Sequence, residues 1–338
     1  MASLATTYRP KKWEEVIGQK SIVDILSKQI NARSFKNAYL FCGPSGDGKT
    51  TLARIFSNEI NGGVGQPIEI DAASNSGVDN VREIIASAYD RALDGEYKIY
   101  IVDECHAISN QGWQAFLKCI EEPPRYTIFI FCTTDVQKVP DTIKNRCQRF
   151  NFSRVSSNLI KDRLMYICEK EGFTNYMESC DYISKICNGC VRDAISMVEK
   201  CSGLSKNLSI DNTLSALGNC SYSVFFDLIN ALMNDSEKDV SAIVSYYYNS
   251  GADIKLFVDQ FMSFCLDIAK YYMFKSFDLV SIPSSMKSQI ESVTNFDNAE
   301  KYYMYVIDKL LELKNMLKND TNSKLTVEVV MLQIARCK

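Results

Sequence analysis

The sequence predicts an α/β domain followed by helical domains. Up to about residue 150, four short runs of β-branched and aromatic residues alternate with amphipathic stretches of helical spacing. From about residue 155 such runs largely disappear, and apolar residues recur at helical spacing instead. Strands that alternate with helices are typical of a parallel sheet with helices on both faces, so we predict that arrangement for the first part of the chain.

The predicted elements follow in chain order. The strands, each rich in β-branched or aromatic residues, are Ala38–Cys42, Ile68–Asp71, Lys98–Asp103 and 127–132. The helices between them are 50–61, 78–93 and 110–121. The second part of the chain is predicted to form helices at 159–171, 180–187, 192–201, 252–277, 298–318 and 326–337. Gly172 and Gly189 separate the first three of these.

Composition and charge exclude several classes of protein. The 338 residues are 46% hydrophobic and 23% charged, which is typical of a globular chain with two or three domains. A net charge of −3 excludes binding of nucleic acid by bulk positive potential. No apolar run approaches the ~18 residues of a membrane span, and the N-terminus lacks the apolar core of a signal peptide. Thirteen cysteines without a secretory signal are typical of reduced thiols, so we expect a cytoplasmic protein.

A phosphate-binding loop (P-loop) follows the first predicted strand. Residues 43–50 fit the spacing G-x-x-x-x-G-K-[ST] between a strand and a helix. The glycines let backbone N–H groups turn toward a phosphate, and the helix N-terminus adds to the attraction. Lys49 would reach the β- and γ-phosphates of ATP, and the Thr50 hydroxyl would ligate Mg²⁺. The predicted nucleotide-binding residues of this loop are Gly43, Pro44, Ser45, Gly46, Asp47, Gly48, Lys49, Thr50 and Thr51.

One residue of this loop is unusual, and one alternative interpretation stays open. Asp47 places a carboxylate inside an anion-binding loop. We expect its side chain either to point to solvent or to weaken the affinity for nucleotide. A glycine-rich turn could also match the spacing by chance, although the flanking strand and helix make that interpretation weak.

Two carboxylates follow the third predicted strand. Asp103 suits the Mg²⁺ shell, and Glu104 suits the orientation or activation of an attacking water. Alone, such a pair could be a solvated strand end, and the upstream P-loop is what favours the catalytic interpretation. His106 is the only histidine of the chain, which excludes a histidine-rich metal site. We assign it to the loop after the strand rather than to the chemistry.

A series of ordered motifs resembles one known family. In the family's order, they are Tyr8-Arg-Pro10, Trp13, Val16-Ile-Gly-Gln19, Glu69-Ile-Asp-Ala-Ala-Ser74, Asp103-Glu-Cys-His106, Phe116-Leu-Lys-Cys-Ile-Glu-Glu-Pro-Pro124, Thr133-Thr-Asp135, Asn145-Arg-Cys147 and Val191-Arg-Asp-Ala194. The chain thereby resembles the γ/τ family of bacterial DNA polymerase III, which are AAA+ clamp-loader ATPases. The Ala-Ala-Ser and Glu-Glu-Pro-Pro segments favour γ/τ over the small subunits of replication factor C. The resemblance is strong from residue 4 to about 200 and only architectural afterwards.

This resemblance implies a domain plan and a function. It implies a P-loop AAA+ domain at 1–154, a small helical lid at 155–206 and an all-α collar, or oligomerisation domain, at 207–338. The implied function is that of an ATPase subunit which opens a ring-shaped sliding clamp and loads it on primer–template DNA. The implied cofactors are ATP and Mg²⁺. The implied partners are the clamp, other loader subunits in an assembly of five, and DNA bound without sequence specificity.

Two alternatives stay open at this stage. One is a non-hydrolysing structural subunit of the same loader. The other is a different AAA+ DNA motor, such as a branch-migration helicase, which shares the P-loop and the Asp-Glu pair. The second alternative explains the Glu-Glu-Pro-Pro and Arg-Cys segments less well.

The resemblance also implies roles that spacing alone does not assign. Thr134 matches a polar sensor of the γ-phosphate or water, and Arg192 matches a second sensor that reaches the phosphates in cis. Arg146 matches the arginine finger, which acts in trans on the ATP of the neighbouring subunit. The implied catalytic set is Lys49, Glu104, Thr134, Arg146 and Arg192, and the implied adenine wall is Tyr8, Arg9, Val16, Ile17 and Gly18. On the residues alone, both arginines would be surface ion-pair residues, and the valine and isoleucine would be core.

Two features depart from the family. Its bacterial members carry a four-cysteine zinc module after the P-loop helix, but the interval 58–67 is short and has no cysteine, so we predict no zinc. Cys187 and Cys190 have ligand-like spacing, with Cys180 and Cys201 nearby, yet a zinc site needs four converging thiolates. The chain also stops at Lys338 without the extensions that tether helicase and polymerase in longer members. Unless the chain is truncated, we expect that tethering function to be missing, as in a compact bacterial or virus-encoded loader.

Contacts with DNA would require a local patch. Basic and acidic residues number 19 and 18 through residue 154, and 19 and 23 beyond it, so neither part is basic. Arg82 and Lys138 match positions near the DNA-facing surface of the family, and the alternative is that both are solvated surface charges. In the second part, Phe257, Phe261, Phe264 and Ile268 recur at helical spacing. We expect this stripe to be core, with part of the apolar surface shared between subunits.

Overall fold

A computed structural model describes residues 3–318, 320 and 322–336. Cys337, where the last helix is predicted to end, lies outside the described residues. The chain divides into two compact units, the first comprising Met1–Ile167 with Cys187–Ser196 and the second comprising Cys168–Ile186 with Met197–Lys338. Residues 187–196, which the predicted plan gives to the lid, thus belong to the first unit. The division into three domains stays a prediction.

The first unit is built on a five-stranded parallel sheet of order β2-β3-β4-β1-β5. The strands are β1 Ala38–Cys42, β2 Ile68–Asp71, β3 Lys98–Asp103, β4 Thr127–Thr133 and β5 Gln148–Asn151. Every residue of β1 and β4 is buried. In a parallel sheet the carboxyl ends of neighbouring strands meet at one edge, so the ends of β1, β3 and β4 lie together. The predicted parallel sheet is confirmed.

Helices cover both faces of this sheet. They are α1 Leu4–Thr7, α2 Lys20–Ala32, α3 Lys49–Ile60, α4 Val78–Ala88, α5 Asn110–Glu121 and α6 Asp141–Lys144. Because side chains alternate along a strand, Leu40 of β1 joins one apolar cluster, whereas Tyr39 and Phe41 join the cluster on the opposite face. The prediction of 78–93 for α4 is too long, since the helix ends at Ala88 and Leu93 is fully exposed.

The remaining described helices follow the last strand of the sheet in the chain. They are α7 Ser157–Glu171, α8 Met177–Ile186, α9 Val191–Ser202, α10 Ile210–Leu217, α11 Tyr222–Met233, α12 Glu237–Asn249, α13 Ile254–Phe274, α14 Lys287–Thr294, α15 Ala299–Met316 and α16 Ser323–Arg336. This helical content confirms the second half of the predicted fold class. In the described residues, we find no helix with the length and apolar character needed to cross a membrane.

The core of the second unit contains the predicted aromatic stripe. Phe257, Phe261, Phe264 and Ile268 of α13 are all at most 2% exposed. Phe225 of α11 packs against the three phenylalanines, with ring centroids 5.3–5.7 Å apart. The prediction of 252–277 for this helix is too long at both ends. The Asp253 side chain accepts hydrogen bonds from the first backbone N–H groups of the helix and fixes its start, and Lys275 ends it in the left-handed conformation.

Candidate nucleotide-binding site

The loop between β1 and α3 has the backbone of a phosphate-binding nest. Gly46 and Gly48 have φ angles of 76° and 93°, a region that L side chains rarely adopt. At Gly46 there is also no room for a side chain, because a Cβ atom would lie 2.1 Å from Cys190 Sγ. Helix α3 begins directly after Gly48, so its first backbone N–H groups face the loop.

Lys49 is folded over this loop. Its Nζ donates to the carbonyl oxygens of Gly43 and Pro44, at 2.8 and 2.6 Å, and the residue is only 6% exposed. An ammonium group has three donors, and the loop carbonyls use two of them. The amine therefore lies where it can exchange carbonyl partners for a phosphate.

The ends of the P-loop and of β3 meet through a hydroxyl–carboxylate contact. Thr50 Oγ1 donates to Asp103 Oδ2 at 2.8 Å, and the backbone N–H of Glu104 donates to Asp103 Oδ1 at 3.0 Å. One hydroxyl and one carboxylate are the protein ligands that Mg²⁺ takes beside substrate phosphates and water. The described residues hold no group of three or more His, Cys, Asp or Glu side chains able to bind a metal. The pair thus fits a magnesium ion that phosphates would complete.

Glu104 is held in place by two neighbours. Its backbone is left-handed, with φ 46° and ψ 41°, a strained conformation for a glutamate. Thr134 Oγ1 donates to Glu104 Oε2 at 3.0 Å, and His106 Nδ1 lies 3.3 Å from the same oxygen. His106 Nδ1 also lies 3.1 Å from Thr133 Oγ1. This contact of His106 was not predicted, and its only signal in the sequence is the position of His106 two residues after Glu104.

One cavity of about 260 Å³ in the first unit is bordered by Lys49, Thr50, Asp103 and Glu104. The predicted site residues that line it are Tyr8, Arg9, Val16, Ile17, Ser45, Gly46, Asp47, Gly48, Lys49, Thr50, Thr51, Asp103, Glu104 and Arg192. The lining also includes Ser3 and Thr6 around α1 and Ile195 and Ser196 of α9, which are not among the predicted site residues. No local motif marks these four residues.

Besides Arg146, four residues of the predicted catalytic and nucleotide-binding sets are not among those that line the cavity. Gly43 and Pro44 contribute through the carbonyl groups that bind Lys49, and Thr134 contributes through Glu104. Gly18, with φ 69°, packs instead against Val155, whose Cγ2 would lie 3.3 Å from a Cβ at this glycine. The roles of these residues toward a nucleotide stay predictions.

Asp47 does not point to solvent, so that expectation is wrong. The residue is 3% exposed, and neither Oδ1 nor Oδ2 has a hydrogen-bond partner among the described residues. Burial raises the pKa of Asp47 to about 6, while the charges of Lys49 and Arg154 act in the opposite direction. Arg154, which follows β5, is not among the predicted site residues.

Arg146 does not line the cavity of its own chain. Its Nη2 pairs with Glu121 Oε1 at 2.5 Å, and its Nη1 donates to the carbonyl of Thr142 at 2.8 Å. Both side chains of the ion pair are about 40% exposed. Glu121, from the Glu-Glu-Pro-Pro segment, thus fixes one orientation of the guanidinium, a contact that the sequence did not reveal.

The two predicted DNA-contact residues are exposed. Arg82 pairs with Asp79 at 3.1 Å, and Lys138 pairs with Asp135 at 3.5 Å. Their side chains are 69% and 64% exposed, so either can leave its acidic neighbour at low cost. DNA contact by these residues stays a prediction.

Cys190 belongs to the P-loop environment. Its Sγ accepts a hydrogen bond from the backbone N–H of Asp193 at 3.4 Å. Burial, with a contribution from Asp193, raises the pKa of Cys190 to about 11, so this side chain stays a neutral thiol. The prediction of no zinc is not tested by this geometry.

Comparison with known proteins identifies the family. The DNA polymerase III subunit gamma of Buchnera aphidicola subsp. Schizaphis graminum is 31% identical over 354 residues, which cover 98% of this chain and 97% of that protein. This chain belongs to the DNA polymerase III gamma/tau family. The subunit tau of Bacillus subtilis is 32% identical, and the match covers 80% of this chain and 52% of that protein. The subunit gamma/tau of Mycoplasma genitalium is 29% identical, and the match covers 91% of this chain and 55% of that protein. The chain thus spans about half the length of these last two gamma/tau relatives.

Two further likenesses are partial. The sequence model of a family described as DNA polymerase III, delta subunit, matches residues 66–156, from just before β2 to just past β5. Among solved structures, the RuvB Holliday junction branch migration motor of Thermotoga maritima gives a TM-score of 0.53 over 67% of this chain and 79% of that one. At 18% identity this likeness shows the AAA+ fold alone.

Proposed function

We propose that this gamma/tau family member is an ATP-hydrolysing subunit of a sliding-clamp loader. The observation that carries the proposal is the 2.8 Å contact between Thr50 and Asp103, with Lys49 and Glu104 at the same cavity. This is the set of groups that phosphoryl transfer to water requires, and the chain's full-length relatives are gamma subunits. In this proposal the protein opens a ring-shaped clamp and places it on primer–template DNA in the bacterial cytoplasm.

Each side chain has a defined task in the proposed reaction. Lys49 leaves the carbonyls of Gly43 and Pro44 and binds the β- and γ-phosphates of ATP. Thr50 and Asp103 hold Mg²⁺, which neutralises charge on the phosphates when bound. Glu104 orients the attacking water, and Thr134 positions the Glu104 carboxylate through their 3.0 Å hydrogen bond. Arg192, at the start of α9, binds the phosphates in cis.

The arginine finger is proposed to act between subunits. Arg146 does not line its own cavity, and Glu121 and Thr142 hold its guanidinium in one orientation on the surface. A guanidinium fork matches the charge that develops on a transferred phosphoryl group. A loader of five AAA+ subunits, joined by collars at 207–338, would place Arg146 at the ATP of the neighbour. Arg82 and Lys138 would then contact DNA phosphates without reading sequence.

A second candidate function is a structural loader subunit that does not hydrolyse ATP. The observation that favours it is the buried carboxylate of Asp47 inside the P-loop. A negative charge there opposes the binding of phosphates. The presence of Lys49, Asp103 and Glu104 at the same cavity favours the hydrolysing subunit instead.

Steady-state ATP hydrolysis separates the two candidates. The full chain is assayed alone and with primed DNA, its clamp and partner subunits. We expect strong stimulation, a loss of about 10²- to 10⁴-fold in Glu104→Gln, and a loss of about 10³-fold or more in Arg146→Ala. Lys49→Ala removes a phosphate ligand and should lose both binding and hydrolysis.

Arg125→Ala is the matched control, because Arg125 is an exposed arginine of the same unit that stacks on Tyr126. It should hydrolyse ATP like the wild type. Clamp loading by assemblies in which this chain never hydrolyses ATP would contradict the main proposal and establish the structural subunit. Full stimulation in Arg146→Ala would contradict the finger assignment alone.

A further inference from the structure

Three charged or titratable neighbours interact electrostatically with the buried side chain of Asp47. Lys49 and Arg154 face it from the start of α3 and from the segment after β5, and Cys190 faces it from the segment before α9. Both cations already have other partners, since Lys49 binds the loop carbonyls and Arg154 Nη1 donates to the carbonyl of Asn188 at 2.7 Å. The Asp47 carboxylate is therefore left without a direct partner among the described residues.

Such a group is unstable as an anion. Burial of a carboxylate without hydrogen bonds is strongly unfavourable, and the group relieves the penalty by taking up a proton. Burial accordingly raises the pKa of Asp47 to about 6, so that both protonation states are accessible close to neutral pH. The neighbouring Cys190, whose pKa is about 11 because of its burial, does not titrate in this range.

We infer that nucleotide binding to this P-loop is coupled to uptake of a proton by Asp47, which thereby sets the affinity for nucleotide and its dependence on pH. The inference rests on the proposed nucleotide site and is independent of whether the chain hydrolyses ATP. Asp47 acts here as an affinity-determining residue rather than a catalytic one.

Two changes on nucleotide binding favour the neutral acid. First, the phosphates add negative charge to the loop that carries Asp47, and like charges repel strongly in a buried environment. Second, Lys49 turns toward the phosphates, so its positive charge is shared with them and stabilises the Asp47 anion less. Both changes raise the pKa of Asp47 in the bound state above its value in the free state. A proton is therefore taken up on binding.

The sign of the pH dependence follows from this order of pKa values. Below the pKa of the free state, Asp47 is neutral in both states and binding is strongest. Above the pKa of the bound state, Asp47 is charged in both states and binding is weakest. The affinity therefore falls as the pH rises from about 6 to the higher pKa of the complex.

The test is titration calorimetry of the full chain with a magnesium-bound, non-hydrolysable ATP analogue. Measurements in two buffers of different ionisation enthalpy count the protons taken up. For a tenfold coupling, the wild type should take up about half a proton more than Asp47→Asn at pH 6.5. At pH 8 the variant should bind about tenfold more tightly than the wild type, equivalent to about 1.4 kcal/mol. At pH 5 this difference should shrink markedly.

Three further proteins complete the test. Asp24→Asn removes an exposed carboxylate from α2 and should behave like the wild type. Asp47→Thr provides a second neutral side chain in case circular dichroism shows that the asparagine variant is misfolded. Protons that titrate on the nucleotide or on other groups of the chain are common to wild type and variants and cancel in the comparison. Lys49→Ala should bind the analogue far more weakly than the wild type.

The outcomes are distinguishable. Equal affinity and equal proton uptake in the wild type, Asp47→Asn and Asp47→Thr would overturn the inference while leaving the nucleotide site intact. Weaker binding by both neutral variants would also overturn it, because Asp47 would then support binding. If no protein binds the analogue at any pH, the proposed nucleotide site itself fails, and the inference fails with it.

Discussion

Two carboxylates are buried among the described residues, one in each compact unit, and their surroundings differ. In the second unit, Asp267 of α13 accepts a hydrogen bond from the backbone N–H of Ser281 at 2.8 Å. Burial raises the pKa of Asp267, but this bond and the charges of Lys270 and Lys185 lower it. In the first unit, Asp47 has no such bond. A satisfied acid stabilises a loop, whereas an unsatisfied one is free to respond to a ligand.

The same contrast holds for other buried or partly buried polar groups. In the second unit, Thr213 Oγ1 donates to Ser179 Oγ, which donates to the carbonyl of Leu208, each at 2.8 Å. This series of bonds ends at a backbone carbonyl, so neither hydroxyl has a donor left for a ligand. In the first unit, the donors of Lys49 and Thr50 bind groups that phosphates and Mg²⁺ would displace. We therefore expect substitutions to change stability in the helical unit and ligand response at the sheet edge.

The largest expected effect is on stability, from Asp267→Ala. This change leaves the Ser281 N–H without its acceptor and opens a small cavity, so it should lower the free energy of unfolding of the second unit by about 2–3 kcal/mol. Asp267→Asn keeps an acceptor oxygen and should lose less than about 1 kcal/mol. Urea denaturation measures both. Equal losses of unfolding free energy in the two variants would show that the Ser281 bond is unimportant. Altered nucleotide affinity in the folded variants would contradict the contrast between a stabilising acid in the second unit and a ligand-responsive acid in the first.

A smaller effect of opposite sign is expected for Asp47→Asn. The ordinary pKa of 3.8 is raised to about 6 in the folded protein, so burial of the charge destabilises the wild type increasingly between these pH values and fully above them. The variant lacks this charge. Its stability relative to wild type should therefore rise by about 2 kcal/mol from pH 4 to pH 8. Thermal unfolding without nucleotide measures this, and a difference that does not change with pH would contradict it.

The smallest expected effect concerns the orientation of Arg146. Glu121→Gln removes the charged partner of the guanidinium but leaves its bond to Thr142, so the DNA-stimulated kcat should fall about three- to tenfold with KM unchanged. Glu122→Gln alters the adjacent exposed glutamate and should have no effect. If Arg146→Ala abolishes stimulation while Glu121→Gln does not alter it, the finger does not depend on this ion pair.

Some elements could be predicted because the signal is local. The predicted bounds of α5 match the structure, since Ser109 caps its start and Pro123 follows its end. Strand β1 is a continuous buried apolar run, and β3 is apolar and buried from Ile99 to Val102; the predicted bounds of both strands match. By contrast, β5 has only Phe150 buried and gives no run, so the sequence does not reveal it. Helix α11 was not predicted either, although its exposed residues Ser223, Asp227 and Asn230 recur at helical spacing among buried apolar ones.

In the candidate site, too, the sequence predicts local features but not contacts between segments that are distant in the chain. Fixed spacing reveals the P-loop and the Asp103–Glu104 pair, since the chemistry lies within a few consecutive residues. The pairing of Glu121 with Arg146 and the enclosure of Asp47 depend on segments distant in the chain, which the fold alone brings together. A side chain's burial and partners are tertiary properties, so the choice between a solvent-facing and a buried Asp47 required the structure.

The close approach of Gly46 to Cys190 has a consequence for how this family can vary. Any side chain at position 46 collides with the thiol, so the two positions are not independent in a library of variants or in evolution. Replacing Cys190 by glycine would open space for an alanine at position 46, yet the φ of 76° would still disfavour it. Position 46 is thus restricted both by the space beside Cys190 and by its positive φ, whereas the restriction on position 190 that this contact imposes is one of space alone. We therefore expect substitutions to accumulate at position 190 first.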